Sequence, residues 1–443
     1  MRAQFEAIPD GTGMTQAPLR IALAGLGTIG GGVAQVLLAR GEELGRRAGR
    51  PLQLVMVSAR DRNKRRPADL QLVPWADDVL ELARSDADVV VELIGGENGV
   101  ARALCEAALD AGKHVVTANK ALLAHQGAQL AALAEKNGLT LRFEAAVAGG
   151  IPIVKALRES LVAYDVGAVR GILNGTCNFI LTQMEATGRP FADVLAEAQR
   201  LGFAEADPSL DVEGGDTAHK LAVLASLAFG IQPSLAGMAV KGITHITPQD
   251  IAFAREFGCR IKLLGVARRV GETVDQRVQP AMVRLGTPLA DVDGAFNAVV
   301  ADAGEAGPYF FEGRGAGEGP TASAVIADIL DVARGSGGPA FGRPAGALKA
   351  HMPAPPSARL WAFYLRFEVL DVPGVLADIA RQLADCDVSI ESMLQRGRAP
   401  GEPVSIVMIT HECSETSVAG ALKTIAASDK VLHTPCMIPM EAG

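Results

Sequence analysis

Aromatic residues are scarce in this sequence, at 4% of 443 positions, and cysteines are few, at six. A chain this poor in aromatics must build its cores from aliphatic side chains. Its length allows two to four of them at roughly 100–200 residues per domain. Cys105, Cys177, Cys259, Cys386, Cys413 and Cys436 form no CxxC pair, which excludes a zinc knuckle or a dithiol redox motif. Their scatter suits buried thiols in a reducing compartment. Positive charge is not in excess either: 42 Lys and Arg stand against 50 Asp and Glu, a formal net charge of -8. That removes the electrostatic footprint of a nucleic-acid or anionic-membrane binder. No apolar run is long and charge-free enough to span a bilayer. Residues 1–18 lack the basic and apolar regions of a signal peptide and read as a disordered tail. The expected location is the cytoplasm.

What is present is alternation. Over residues 19–150, short apolar runs (Leu19 to Leu26, Leu52 to Ser58, Val89 to Ile94, His114 to Thr117, Leu139 to Val147) alternate with helical patterns. This predicts an α/β fold, a parallel sheet with helices on both faces. Residues 151–306 read as an α+β domain, with helices over Phe191 to Leu201 and Thr217 to Phe229 and strands over Ala168 to Leu173 and Thr273 to Gln279. Residues 307–333 run from a glycine loop into a helix and are expected to return to the first domain. Residues 334–357 are rich in Gly and Pro and read as a linker. After it the pattern resets. Residues 358–443 read as βαββαβ, with Val375, Ile379 and Leu383 on one helix face and a last strand near Val431.

Three motifs carry chemistry. Gly25-Leu-Gly27-Thr28-Ile29-Gly30 follows a predicted strand and opens a helix. The first glycine makes the tight turn, the second lets a pyrophosphate approach the backbone, and the third lets helix and strand pack closely. The phosphates then meet the positive end of the helix dipole. The competing reading is a glycine-rich turn without a ligand. The second strand ends in Arg60-Asp-Arg-Asn-Lys64-Arg-Arg66, where charge-assisted donors suit the 2′-phosphate of NADP better than the bare ribose of NAD. A solvated basic loop is the alternative. Thr117-Ala-Asn-Lys120 ends another strand, where ligand crevices of open parallel sheets lie.

The third motif runs from Gly202 to Lys220 and places Glu205, Asp207, Asp211, Glu213 and Asp216 ahead of Lys220. As a surface i,i+4 pair, Asp216 and Lys220 would contribute only about 0.3–0.5 kcal/mol. That leaves Glu205, Asp207 and Asp211 unexplained. A site for a substrate α-ammonium would need such acids, and a lysine among them can exchange a proton with a carbonyl/alcohol couple.

The segment Ala198 to Lys220 resembles the signature of homoserine dehydrogenases. Asn174 to Ile180, Thr117 to Lys120 and Gly315 to Ser323 are similar to further segments of that family, so the likeness spans about Leu19 to Arg334. With no aspartokinase region ahead of it, the chain resembles the monofunctional form. The resemblance implies interconversion of L-aspartate 4-semialdehyde and L-homoserine with NADP, or NAD as the alternative, in threonine, methionine and isoleucine biosynthesis. It implies that Gly25, Gly27, Gly30 and Lys120 contact the cofactor while Gly202 and Gly317 close over it; Thr28, Ile29 and Thr117 of the same motifs, and Arg60 and Lys64 of the basic run, are the further candidate contacts. Glu205 and Asp216 would hold the substrate with Asp211 nearby, and Lys220 would donate the proton with Lys120 assisting. It further implies a monovalent cation, usually sodium, held by Glu144, Val147, Gly149 and Ile151, mostly through backbone oxygens.

Phe367 to Leu376 resembles the first strand, turn and helix start of an ACT domain. That implies side-by-side pairing, a homodimer or homotetramer, and an amino-acid effector, threonine, at Asp371 and Gly374. A module for assembly alone is the competing reading. A dehydrogenase for another small amino acid or hydroxy acid, and a non-catalytic sensor, also remain open at this stage. The linker implies that a chain cut near Ser357 keeps its dehydrogenase.

Overall fold

The computed structural model describes residues 16–358, 360–395 and 403–441. The expected tail thus falls largely outside the described residues. The chain forms two compact units, one running up to Lys155 and resumed over Ala316–Leu348, the other made of Ala156–Gly315 and Lys349 onward.

In the first unit, apolar, β-branched runs such as Val89–Glu92 pair on both sides, as strands buried on two faces must. The sheet order is Leu52–Ser58, Leu19–Ala24, Val89–Glu92, His114–Thr117, Leu141–Arg142, and every pairing is parallel. The order reverses between the first strand and Val89–Glu92. Ligands bind outside the carboxyl ends of strands at such a switch point. The helix Glu318–Ala333 packs its buried Ala322, Val325 and Ile329 into the core shared with the helix Thr28–Ala48.

Three expectations are corrected here. The strand Pro308–Arg314 does not return to this unit. It pairs antiparallel with Phe296–Asp302 of the second, and only the helix, which has an apolar face to bury, comes back. The run Leu139 to Val147 is a strand only over Leu141–Arg142, after which Glu144–Ala146 makes a tight turn. The supposed linker is a strap. Arg142 donates to the carbonyls of Ser336 (2.7 Å) and Gly337 (3.0 Å), and the amide of Ala345 donates to the Glu135 carboxylate at 2.8 Å. Phe341 is fully buried with its ring 5.0 Å from that of Phe143. Gly- and Pro-rich chain cannot make a core of its own, but its carbonyls can accept from a neighbour, and the buried Arg142 guanidinium, which needs acceptors, supplies the donors.

The second unit is built on one continuous sheet. Its order is Pro308–Arg314, Phe296–Asp302, Ala168–Ile172, Cys259–Val270, Thr273–Arg284, Cys436–Glu441, Phe363–Leu370, Pro403–Thr410, Ile390–Gln395. The last four strands and the helices Val375–Ala384 and Glu415–Ile425 form the expected βαββαβ module, with Val375, Ile379 and Leu383 in its core. Its final strand is Cys436–Glu441, five residues beyond the expected start. Val431 makes only an isolated bridge to Val369. That final strand runs parallel to Thr273–Arg284 through Met440 and Glu441, so the module continues the catalytic sheet.

Buried charge ties the module in. Asp250, in the helix Pro248–Glu256, is wholly buried and accepts from Arg366 Nε (2.6 Å) and Tyr364 Oη (3.1 Å) of the module's first strand. Glu441 is paired with Arg268 at 2.8 Å and Arg277 at 3.3 Å. Cutting the chain near Ser357 would remove Arg366, Tyr364 and Glu441, and so leave Asp250, Arg268 and Arg277 without these partners. Burial pushes the Asp250 carboxyl up, but hydrogen bonds from Arg366 and Thr247 outweigh it and hold it below the usual range. A carboxyl lowered on folding stabilises the protein above its unfolded pKa, and that contribution fades as pH falls through the folded value. Arg366→Met should therefore cost about 3–5 kcal/mol at neutral pH, the usual loss for one partner of a buried pair. The deficit should shrink as the medium is acidified through the carboxylate range. Urea unfolding across pH is the check, and coincident curves for variant and parent would refute it.

Candidate active site

The glycine turn that follows Leu19–Ala24 is as sterically constrained as its spacing suggests. Gly25 has φ +90°, and a Cβ there would lie 2.5 Å from the Leu93 carbonyl oxygen. A Cβ on Gly30 would lie 1.8 Å from the Gly25 oxygen. Gly27 differs: nothing lies within 4 Å of its missing side chain. The two close contacts lock helix to strand, and the open one is the face a ligand can approach. The helix Thr28–Ala48 begins there without a side-chain cap and without an acid in its first turn, so its N-terminal field is not offset. Thr28 is exposed and Ile29 half-buried.

Beside this turn, the basic loop is held by Arg66, which donates to the carbonyls of Leu26 (3.3 Å), Lys64 (2.7 Å) and Asp61. The guanidinium groups of Arg62 and Arg66 lie 5.4 and 5.2 Å from the ring centre of Trp75. Lys64, Arg62, Arg66 and Trp75 line a cavity of about 470 Å³. Arg60 and Lys64 are exposed, and neither side chain bonds to another described residue. Arg66 thus shapes the loop and leaves Arg60 and Lys64 uncommitted.

Thr117 is wholly buried, and its hydroxyl donates to Glu92 at 2.6 Å and accepts from the Asn119 amide at 3.0 Å. This corrects its expected place as a cofactor contact. It supports the strand ends instead. The other Glu92 oxygen accepts from the amides of Ile94 and Gly95, at 2.7 and 3.0 Å. Asn119 caps the helix Lys120–Lys136 and donates to the Gly96 carbonyl, which sets half-buried Lys120 at the helix start. Sequence reading missed Glu92. An acid ending a run of valines was the signal. Gly317, with φ +110°, opens the helix Glu318–Ala333.

Glu144, Val147, Gly149 and Ile151 are all buried. The Glu144 carboxylate accepts from the amides of Val154 (3.0 Å) and Lys155 (2.8 Å), and the Ile151 carbonyl accepts from Ile153. Ala148 and Gly149 are both left-handed, at φ 54° and 52°, a strained backbone for alanine. The set offers oxygen donors and one carboxylate.

In the second unit, the strand Ala168–Ile172 runs into Asn174, which caps the helix Gly175–Thr187 by accepting from the Cys177 amide at 2.8 Å. Its Nδ2 donates to Asp211 at 2.7 Å and to Asp216 at 2.8 Å. Asp216 lies in the first turn of the helix Gly215–Phe229, and Lys220 lies one turn on. Lys220 Nζ donates to Asp216 Oδ2 and to the Leu173 carbonyl, both at 2.7 Å, and is only 9% exposed. The pair is therefore not a solvent-exposed surface pair. Burial, with Asp211 and Asp216 close by, pushes the Cys177 thiol well up, so that cysteine is an inert neighbour.

Asn174, Asp211, Asp216 and Lys220 are thus brought together. Glu205 and Asp207 are not: both are exposed. Asp207 is turned onto Ser209, whose hydroxyl and amide bonds hold its carboxyl below the usual range. Gln199 fixes the Glu205 backbone at 3.1 Å, while the Glu205 carboxylate bonds to no described residue. Gly202, at φ +79°, ends the helix Phe191–Leu201 and starts this loop. In the C-terminal module, Asp371 and Gly374 line a cavity of about 330 Å³. Gly374 has φ +94° and open space where a side chain would be.

An open glycine turn at the switch point of a parallel sheet, a buried lysine–carboxylate pair and a βαββαβ module define a class: dinucleotide-dependent oxidoreductases carrying an amino-acid-binding type of domain. Residues 25–144 match the homoserine dehydrogenase NAD binding domain, 152–330 the homoserine dehydrogenase family, and 363–429 the ACT domain. The homoserine dehydrogenase of Neisseria gonorrhoeae is 44% identical over 435 residues, 96% of this chain and 99% of that one. That of Pseudomonas aeruginosa is 42% identical over 422 residues, 94% and 96% of the two chains. The crystal structure of the enzyme from Thiobacillus denitrificans is similar with a TM-score of 0.90 and 43% identity, over 96% of this chain and 98% of that one. The chain belongs to the homoserine dehydrogenase family: an NAD(P)-binding oxidoreductase acting on a CH–OH group, with a C-terminal ACT domain. Among the described residues, no helix is long and apolar enough to cross a membrane.

Proposed function

We propose that Lys220 is the proton donor in the reversible reduction of L-aspartate 4-semialdehyde to L-homoserine, with NADP as the preferred cofactor. The observation that carries this reading is the buried Lys220 ammonium, held by Asp216 and the Leu173 carbonyl. When bound, the nicotinamide supplies the hydride. Charge that develops on the aldehyde oxygen is then stabilised and protonated by the preorganised ammonium. Asp216 orients Lys220, Asn174 holds Asp216 and Asp211 together, and Lys120 assists from the start of its helix. The uncommitted carboxylate of Glu205 takes the substrate α-ammonium, with Asp216 completing that acidic wall.

Gly25, Gly27, Thr28, Ile29 and Gly30 cradle the pyrophosphate, with Lys120, Gly202 and Gly317 as further contacts. Arg60 and Lys64 face the 2′-phosphate. The oxygen-only donors at Glu144, Val147, Gly149 and Ile151 fit a hard monovalent cation such as sodium. Its charge would offset the carboxylate and brace a strained turn. L-Threonine is the proposed effector at Asp371 and Gly374, with the chain acting in threonine, methionine and isoleucine biosynthesis. It would assemble as a homodimer or homotetramer through its ACT domains, which sedimentation would read. The proposed setting is the cytoplasm, where six unpaired cysteines stay reduced.

Lys220→Ala should lower turnover of L-homoserine by roughly 10²–10⁴ while NADPH affinity, read by fluorescence quenching, holds. Turnover within a few-fold of the parent would sink the assignment. Arg60→Ala with Lys64→Ala should raise KM for NADPH far more than for NADH. Equal losses would leave the loop merely solvated. L-Threonine should inhibit the full chain in a dose–response assay, and Asp371→Ala should move the midpoint by roughly 5–150-fold, the span of ordinary coupling energies. An unmoved midpoint would place threonine elsewhere.

A further inference from the structure

Three asparagines cluster around the start of the helix Gly175–Thr187, and two are fully committed. Asn174 gives its Nδ2 protons to Asp211 and Asp216. Asn178 gives its own to the carbonyls of Val292 and Phe296. The third, Asn297, is 1% exposed, and neither Oδ1 nor Nδ2 has a partner. Leaving a buried amide unpaired costs about 1–3 kcal/mol, and such a group calls for a reason.

Its position supplies one. Asn297 lies on the strand Phe296–Asp302, whose register sets Ala298 against Ile172 and Val299 against Gly171. One step further along, it stands opposite Leu173, the residue whose carbonyl holds Lys220. Its amide packs on two glycines. A Cβ on Gly175 would lie 3.4 Å from Asn297 Oδ1, and one on Gly315 would lie 2.0 Å from its Nδ2. Gly175 directly follows Asn174, so the amide sits beside the acid cluster. Gly315 covers it with backbone only, so a ligand would reach it once that segment shifts. Such adjustments on ligand entry are ordinary.

An amino-acid substrate brings a carboxylate as well as an ammonium. Acceptors for the ammonium are plentiful, Asp211 and Asp216 in the cluster and the exposed carboxylate of Glu205 outside it. Donors for the carboxylate are short: the two committed asparagines have spent theirs, and Lys220 has given two of its three N–H groups to Asp216 and Leu173, the third being the one the reaction uses. We propose that Asn297 is a substrate-recognition residue whose Nδ2 donates to the α-carboxylate of the amino-acid substrate. The assignment rests on the functional reading above and extends it to a residue that reading leaves unused.

The test is steady-state oxidation of L-homoserine by the parent, Asn297→Ala and Asn297→Asp, with calorimetric binding of L-homoserine and of 3-aminopropan-1-ol, which lacks the carboxylate. Asn297→Ala should raise KM and Kd for L-homoserine roughly 10–100-fold, the usual effect of losing a hydrogen bond to a charged group. NADPH affinity and the binding of 3-aminopropan-1-ol should hold. Asn297→Asp, which sets carboxylate against carboxylate, should weaken L-homoserine further. Removing an unpaired amide should not lower Tm, so a folded alanine variant is expected. If that variant keeps the parent's KM, or if both ligands weaken equally, the assignment falls while the function stands. If the parent neither oxidises nor binds L-homoserine, both fall.

Discussion

An ammonium group withdrawn from water must be met by a carboxylate and a carbonyl, or it loses its proton or drags water in with it. Lys220 meets that demand inside the second unit, and much of the local structure exists to supply the partners. Asp216 has to sit one helical turn earlier, which requires the helix to begin at Gly215. The Leu173 carbonyl has to project from the end of the strand Ala168–Ile172. The Asp216 carboxylate, itself buried, needs donors beyond Lys220, and Asn174 provides one while also capping the next helix. Gly242 fits under this arrangement only because it is glycine: a Cβ there would lie 2.1 Å from the Val212 carbonyl oxygen. An ammonium held this way has little freedom to reorient, the kind of fixed geometry that electrostatic catalysis exploits.

The same rule, applied twice more, joins the ACT module to the catalytic sheet. Asp250 is enclosed and depends on Arg366 and Tyr364 across the sequence. Glu441, near the C-terminus, is enclosed and depends on Arg268 and Arg277. Arg277 in turn lies over the Trp361 ring, 3.1 Å from its centre. Apart from Asp250, on its helix, these partners come from successive strands of the sheet, Cys259–Val270, Thr273–Arg284, Cys436–Glu441 and Phe363–Leu370. An effector that alters the module therefore acts on strands hydrogen-bonded in series with Ala168–Ile172, which leads to Leu173 and Asn174.

The sequence was most readable where function rests on local backbone geometry. The glycines at 25, 27 and 30, the helix Phe191–Leu201 and the βαββαβ pattern were all legible because spacing alone encodes them. The i,i+4 relation of Asp216 and Lys220 was legible too, but whether that pair lay in solvent or in the interior was not. It was less readable where one group needs a partner far along the chain. Glu92 looked like the end of a strand, and only its bonds to Thr117, Ile94 and Gly95 show what it holds together. Residues 334–357 looked like a linker because composition reports that a segment has no core of its own. It does not report that Arg142, about two hundred positions earlier, will satisfy its carbonyls.

What the sequence determined by itself was the glycine turn, the βαββαβ pattern, the acid–lysine motif and the family, since each is written in short segments of neighbouring residues. Tertiary structure alone decided which of those acids are buried and which remain in water. It decided that Thr117 is enclosed, that the last strand starts at Cys436, and that Asn297 carries an amide with no partner. The reason is one of range. Propensity, capping and turn geometry act between residues close in sequence, whereas desolvation depends on everything that packs around a group, and most of that arrives from elsewhere in the chain.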